Sequence, residues 1–371
     1  MPYDVARVRA CYPALHDGHA WLDGAAGTQV PQAVIDAVAS SYHAGIGNVG
    51  GAFPASRRSE AIVAACRQAV ADLVGGDPDG VILGPNMTTL TYRLAATLAA
   101  GWGPGDEVVV SRLDHDANVR PWLQAAERAG ATVRWAEVEL ASGELPAEQY
   151  RALLSERTRL VAVTAASNVL GTRPEVARIT AMAHALGALT YVDGVHAAAH
   201  GPVDGAALGA DFYAISAYKW SGPHVGAVVA DPGLLATLHP DKLASSPDRV
   251  PERFEWGTAP FADLAAEAHE QELLAVLLDG LAAMAHVTSY GRAARRTATA
   301  YFTVAGHTPR EVAEHLAARK VNVWNGHNYA WELTGVLGIR HAGSAVRAGL
   351  VHYNDRAEVD RLLEGLAELG A

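Results

Sequence analysis

Between about residues 80 and 230 the chain repeats one pattern, a short β-branched run followed by a longer Ala/Leu-rich helical stretch. The runs are GVILG (80–84), EVVVS (107–111), TVRWAEV (132–138), RLVAVTAA (159–166), ALTYVD (188–193), DFYAIS (211–216) and GAVVAD (226–231). Strands separated by helices can pair side by side only through crossovers. The pattern therefore predicts βαβ units and a mainly parallel sheet covered on both faces. The stretches between the runs carry helix signals of their own, as in PEVARITAMAHALG (174–187), which stops at Gly187 as a C-terminal cap should. The C-terminal part reads differently. AAEAHEQELLAVLLDGLAAM predicts a helix over 265–284, and TAYFTVAG a half-buried strand over 299–306. A further helix is expected over 308–321, with Thr308 as N-cap and Pro309 in the first turn. VRAGLVHYN (346–354) reads as a strand and AEVDRLLEGLAELG (357–370) as an amphipathic helix. The expected organisation is a large α/β domain over 20–258 and a smaller α+β domain built from 1–19 and 259–371. No internal repeat or low-complexity tract interrupts it.

Half of the 371 residues are hydrophobic and 19% are charged, enough for one large core and a smaller second one. The net charge of −11, without any basic run, argues against nucleic acid as a partner. The two cysteines, Cys11 and Cys66, form no CxxC pair, which disfavours a metal cluster or a disulfide framework. Cys66 lies in the helical pattern SEAIVAACRQAVADLVG and is expected in the core. No basic segment followed by an apolar one opens the chain, and no uncharged run reaches about 18 residues. A cytoplasmic protein without a membrane segment is the expectation.

In parallel α/β sheets, ligands gather at the carboxyl ends of the strands. The polar residues that follow the runs are therefore the candidates. GVILG is followed by Thr88 and Thr89 at a helix start, and EVVVS by His115. RLVAVTAA is followed by Asn168, ALTYV by Asp193 and His196, and DFYAI by Ser216, Tyr218 and Lys219. Together they suit one cofactor, pyridoxal 5′-phosphate (PLP). A phosphate wants hydroxyls and free N–H groups at a helix start, which Thr88, Thr89 and Ser216 can offer. A pyridinium nitrogen wants a buried carboxylate, which suits Asp193. A flat ring wants a stacking partner, as His115 could be. An aldehyde wants a lysine whose amine can be neutral, and Lys219 in a crowded loop fits that demand as a Schiff-base partner. Singly, each has a plainer reading. Asp-Gly is a common turn, Thr88–Thr89 an ordinary cap, and His115 a hydrogen-bonded histidine. His196 could ligate a metal, but no HExxH-like spacing accompanies it and no metal is expected. The repetition at five successive strand ends favours the joint reading.

These residues lie in motifs that resemble the class V aminotransferase group of fold-type I PLP enzymes, and within it the cysteine desulfurase-like proteins. The motifs are WLDGAAGTQVP, RLDHDANVRPW, ASNVLGT, YVDGVHAAAH, FYAISAYKWSGPHVG, FEWGTAP and VRAGLVHYN, spanning nearly the whole chain. NVGGAFPASRRS and GPNMTTLTYRLA resemble a desulfurase-like subgroup of poorly assigned activity. The resemblance implies a seven-stranded sheet domain, a small C-terminal domain and a homodimer. It implies that Lys219 holds PLP, that Asp193 pairs with the pyridine nitrogen and that His115 stacks on the ring. It further places His196 near the ring hydroxyl, and Thr88, Thr89, Ser216 and Tyr218 around the phosphate. Thr258 would reach the phosphate of a partner subunit. Asn168 and Ala26 would lie beside the substrate, and Arg347 would clamp its carboxylate.

Two departures narrow the chemistry. Desulfurases of this kind carry a nucleophilic cysteine shortly before the carboxylate-binding arginine. Here VWNGHNYAWEL (323–333) holds none, and Tyr329 takes the aligned place. A persulfide route needs a thiolate that reaches the substrate sulfur. Family members also have a longer segment between the GT motif and the following helix than FADLAAEAHEQELLAV provides. A C–S lyase acting by β-elimination on a cysteine or an S-substituted cysteine is the first expectation. An aminotransferase, an epimerase or a decarboxylating deaminase on the same scaffold is the alternative, and a non-catalytic PLP-fold protein a third. Trp324 suggests an apolar pocket. Arg57 and Arg58 could bind a second carboxylate or cap a helix.

Overall fold

The computed structural model describes residues 4–201, 203–263, 280–291 and 293–370. In chain order its strands are β1 (Ala20–Trp21), β2 (Val81–Gly84), β3 (Glu107–Ser111), β4 (Thr132–Ala136), β5 (Thr158–Thr164), β6 (Leu189–Asp193) and β7 (Phe212–Ser216). Then follow β8 (Gly226–Ala230), β9 (Val287–Tyr290), β10 (Thr299–Val304), β11 (Val321–Asn322), β12 (Trp324–Gly326) and β13 (Ala345–Gly349). A seven-stranded sheet has the order β2-β8-β7-β6-β5-β3-β4. Its pairs are parallel except those on either side of β8, which runs against both neighbours. All seven expected strands are members, so the chain has the mainly parallel α/β architecture that the sequence predicts.

The strands read as almost unbroken apolar runs because both faces are covered. In β3, Val109 enters one core with Val161, Val163 and Val192, while Val108 and Val110 enter the other with Trp122, Tyr191 and Phe212. The helices end where the local chemistry ends them. Asn86 accepts the Thr89 N–H at 2.9 Å and opens Met87–Ala99. Gly130, at φ +71°, closes Arg120–Ala129. Thr308 and Glu311 form a reciprocal capping box at the start of Pro309–Ala317, where Thr308 was expected as the cap.

A second sheet, β12-β13-β10-β9, is antiparallel throughout and carries a third core. The helix expected over 308–321 stops at Ala317, because Val321–Asn322 turns away to pair in parallel with Ala20–Trp21. The strand expected over 346–354 ends at Gly349, beyond which the Val351 N–H is taken by the Asn354 side chain at 2.7 Å. Most of the helix expected over 265–284, and most of the shortened junction after Thr258, lie outside the described residues. No helix among the described residues is long and apolar enough to cross a membrane.

The two sheets meet through the segment Asp23–Thr28. Its Gly24 N–H donates to the Gly349 carbonyl at 3.1 Å, and its Thr28 N–H to the Tyr218 carbonyl at 2.9 Å. A β-carbon on Gly349 would lie 2.6 Å from Ala25 Cβ and 2.7 Å from its backbone nitrogen, so nothing flexible can give way. Gly349→Ala is expected to cost about 1–3 kcal/mol of stability through overpacking. Urea titration checks this, and an unchanged midpoint would show that the segment moves freely.

Candidate active site

The carboxyl ends of β2, β3, β5, β6 and β7 open onto one cleft. Thr88, His115, Asn168, Asp193, His196, Ser216, Tyr218 and Lys219 line it together, with Met87, Ala117, Thr164, Ala166 and Val195 between them. These are eight of the thirteen site residues that the sequence nominates.

Each is held by its own local structure. The Ser216 hydroxyl accepts the Met87 N–H at 3.0 Å, joining the end of β7 to the start of Met87–Ala99. In RLDHDAN, the buried Asp114 accepts from Ser111 and, at 2.7 Å, from Asn118 Nδ2. That pins the turn bearing His115. His115 Nδ1 in turn accepts the Ala117 N–H at 3.0 Å, so a neutral ring keeps its proton on Nε2. One Asp193 oxygen accepts the Val195 N–H at 2.9 Å. His196 Nε2 lies 3.0 Å and 2.9 Å from the hydroxyls of Thr297 and Thr299, contacts that reach across from the second sheet. Lys219 follows β7 in a single tight turn and donates from Nζ to the Ala25 carbonyl at 2.8 Å.

Burial governs the charges. It pushes the Lys219 amine down to about 7, helped by Arg347 and opposed by Asp23 and Asp193. It raises Asp193 to about 6, against the Val195 N–H and Lys219. His115 falls to about 3, by burial and then by Lys219 and Arg347, and is neutral at pH 7. Burial also raises Asp23 to about 6, with Arg347 and Lys219 opposing.

The other five nominated residues lie apart from the cleft lining. Thr89 gives its N–H to the Asn86 cap. Ala26 stays in the Asp23–Thr28 segment, its N–H on the Asp23 carbonyl at 2.8 Å. Arg347, on β13, is buried, with Nη1 donating to the Asn168 carbonyl at 3.1 Å and Nη2 3.8 Å from Asp23 Oδ1. Tyr329 lies against His115 with ring centroids 5.3 Å apart and planes inclined by 32°, and is largely exposed. Thr258 lines a separate depression with Gly84, Arg93 and Trp256. Arg58 holds the Gly45 carbonyl at 2.8 Å and so fastens the end of Gln32–Ala44. Trp324 pairs with Arg347 across β12 and β13 and is half-exposed. Sequence reasoning missed Asp23 and the Ala25 carbonyl. The signal for Asp23 was present, an acid just past Leu22 after the short strand β1, but a two-residue strand is too brief to read by pattern.

Neither cysteine lines the cleft. Cys11 is exposed, and Cys66 faces an apolar cavity with Trp220 and Leu83, its thiol pushed up to about 12 by burial. PLP fits the donor set. Asn168 Oδ1 and His196 Nδ1 are buried without hydrogen-bond partners, as polar atoms awaiting a ligand would be. A helix start with Thr88 and Ser216 beside it suits a phosphate.

The family model for class-V aminotransferases matches residues 20–362. An uncharacterized protein of Mycobacterium tuberculosis is 37% identical, with 100% of both chains covered. A cysteine desulfurase of Klebsiella pneumoniae is 33% identical over 100% of this chain and 99% of its own. Among solved structures, the cysteine desulfurase CsdA (S-sulfonic acid) from Escherichia coli superposes with a TM-score of 0.89 at 27% identity, covering 100% of this chain and 99% of that one.

The lysine's depressed pKa has a measurable sign. Between about pH 7 and 10.5 the unfolded chain binds a proton that the fold does not. Lys219 therefore makes the cofactor-free protein more stable as pH rises through that window. Lys219→Met removes the effect. Its stability relative to wild type should be highest near pH 6 and decline toward about pH 10, as read by urea titration. A difference independent of pH would show that the amine is not held near neutrality.

Proposed function

The chain belongs to the class V aminotransferase family, as a PLP-dependent enzyme of its cysteine desulfurase-like group, and on that premise we propose that it is a C–S lyase. It eliminates the β-substituent of a cysteine or S-substituted cysteine and, with water consumed, releases hydrogen sulfide or a thiol, pyruvate and ammonia without an enzyme-bound persulfide. One observation carries this reading. The cleft joins a buried, near-neutral lysine to a buried carboxylate, while a phenol, Tyr329, and no thiol stands beside His115.

When bound, PLP withdraws electrons from the substrate's α-carbon and makes its α-proton acidic. Asp193, buried and with one oxygen still open to a donor, would hold the ring nitrogen protonated. Lys219 would hold the cofactor at rest. Its amine, with a pKa near 7, is matched to accept the α-proton and to pass a proton to the departing sulfur near neutral pH. His115 stays neutral and would stack its flat face on the ring. Thr88, Thr89, Ser216 and Tyr218 would hold the phosphate, and His196 and Asn168 the remaining polar atoms of cofactor and substrate. Arg347 would receive the substrate carboxylate, and the Asn168 carbonyl holds its guanidinium in place at 3.1 Å. Ala26 would lie beside the substrate. Thr258, away from its own cleft, supports a homodimer in which it serves the partner's phosphate site.

Incubation of the PLP-loaded protein with cysteine, S-alkyl cysteines and ordinary amino acids, followed by mass spectrometry, tests the reaction. Thiol and pyruvate in equal amounts are expected. A persulfide on the protein, or a keto acid formed only when an amino acceptor is supplied, would replace the lyase reading. Asp193→Asn is expected to lower turnover by at least about 100-fold while the protein still folds. Lys219→Ala should lack the borohydride-sensitive absorbance near roughly 420 nm that a lysine-held PLP shows. Retention of that band would remove Lys219 from its assigned place.

A further inference from the structure

A second polar cavity lies back to back with the cleft. Ala165 and Ala197 line it, while their neighbours Ala166 and His196 line the cleft. It has a volume of about 270 Å3, and its polar lining is Arg173, Arg295, Asp204 and Tyr213.

Three observations there are unexplained by folding alone. Thr172 and Arg296 form an isolated antiparallel bridge, and the Arg173 N–H donates to the Arg295 carbonyl at 2.8 Å. This register sets the two arginines opposite one another on a two-stranded ribbon, where like charges repel. Second, neither guanidinium has an ion-pair partner among the described residues. Of the acids beside the lining, Glu175 is paired with Arg178, Glu144 accepts the Ala294 N–H at 2.9 Å, and Asp204 accepts the Ala207 N–H at 2.8 Å. Third, the Tyr213 hydroxyl is buried in the same wall without a hydrogen-bond partner, on a residue only 2% exposed. A buried hydroxyl left unpaired is costly, and the half-buried Arg173, facing a second cation without an anion, adds to that cost.

We propose that this cavity is a binding site for a small divalent oxyanion, inorganic or dicarboxylate. Arg173 and Arg295 supply the charge and Tyr213 Oη an O–H donor, a set that serves carboxylate, phosphate and sulfate alike. Arg295, exposed, stands at the solvent side, and Arg173, half-buried, beneath it. The site shares no residue with the cleft and does not rest on the lyase reading.

The test uses the PLP-loaded protein, so that the phosphate site of the cleft is filled. Sodium sulfate, phosphate and succinate are titrated by calorimetry against sodium chloride at matched ionic strength. Saturable binding of at least one of the three is expected in wild type and in Arg347→Gln, which removes a guanidinium that is not part of this cavity. Arg173→Gln with Arg295→Gln should abolish it, and Tyr213→Phe should weaken it about tenfold, as loss of one charge-assisted hydrogen bond does. Which of the three binds most tightly distinguishes an inorganic anion from a dicarboxylate. Without any oxyanion, Tyr213→Phe should unfold at the wild-type urea concentration or above it, since only an unpaired hydroxyl is removed. Binding no stronger than chloride in wild type, or equal binding in the arginine double variant, would overturn the site. Loss of stability in anion-free Tyr213→Phe would overturn the part given to Tyr213.

Discussion

An amine taken out of water is the condition on which the rest of the site depends. Lys219 emerges from β7 into a tight turn covered from both sides, so that its charged form loses hydration. The fold offsets this with the Ala25 carbonyl and two carboxyl groups, Asp23 and Asp193, without pairing the amine fully with either. Arg347 pulls the other way. The balance leaves the lysine near neutrality, where it can serve both as a nucleophile toward an aldehyde and as a base.

That environment is assembled from distant parts of the chain. Asp193 arrives on the strand beside Lys219 in the sheet. Asp23 and Ala25 come from a segment near the N-terminus, and Arg347 from the second sheet. The segment Asp23–Thr28 is fastened at one end to Gly349 and at the other to the Lys219 turn, through Thr28 and Ser221. Anything that shifts the second sheet therefore moves both Arg347 and the carbonyl that receives the lysine. His196 adds a further tie, through Thr297 and Thr299.

The large sheet was legible because doubly covered parallel strands must be apolar along their whole length, and all seven runs correspond to strands. The residues that line the cleft were legible for a related reason. In such sheets only the residues just past the strand ends are free to be polar, so Thr88, His115, Asn168, Asp193, Ser216 and Lys219 stand out. Element ends were less legible. Lys320, at φ +58°, breaks the pattern of the preceding helix because its neighbours are claimed by β1, three hundred residues away in sequence. The side chain of Asn354 halts β13 by taking a backbone N–H, a competition that a run of apolar residues conceals.

The alternation of runs and helices indicated the fold class, and the order of polar residues after the strands pointed to the cofactor, since both follow from local hydrogen bonding and burial. The absence of a cysteine near Tyr329 was equally a matter of composition. Three dimensions were needed for whatever depends on who meets whom. Arg347 is set beside Asp23, Tyr329 over His115, and Arg173 against Arg295, pairings made by sheet register and by loops meeting across the two sheets. Burial depth, and with it the neutral amine of Lys219, is likewise a property of the packed layers, because desolvation is the sum of all the groups that exclude water from one point.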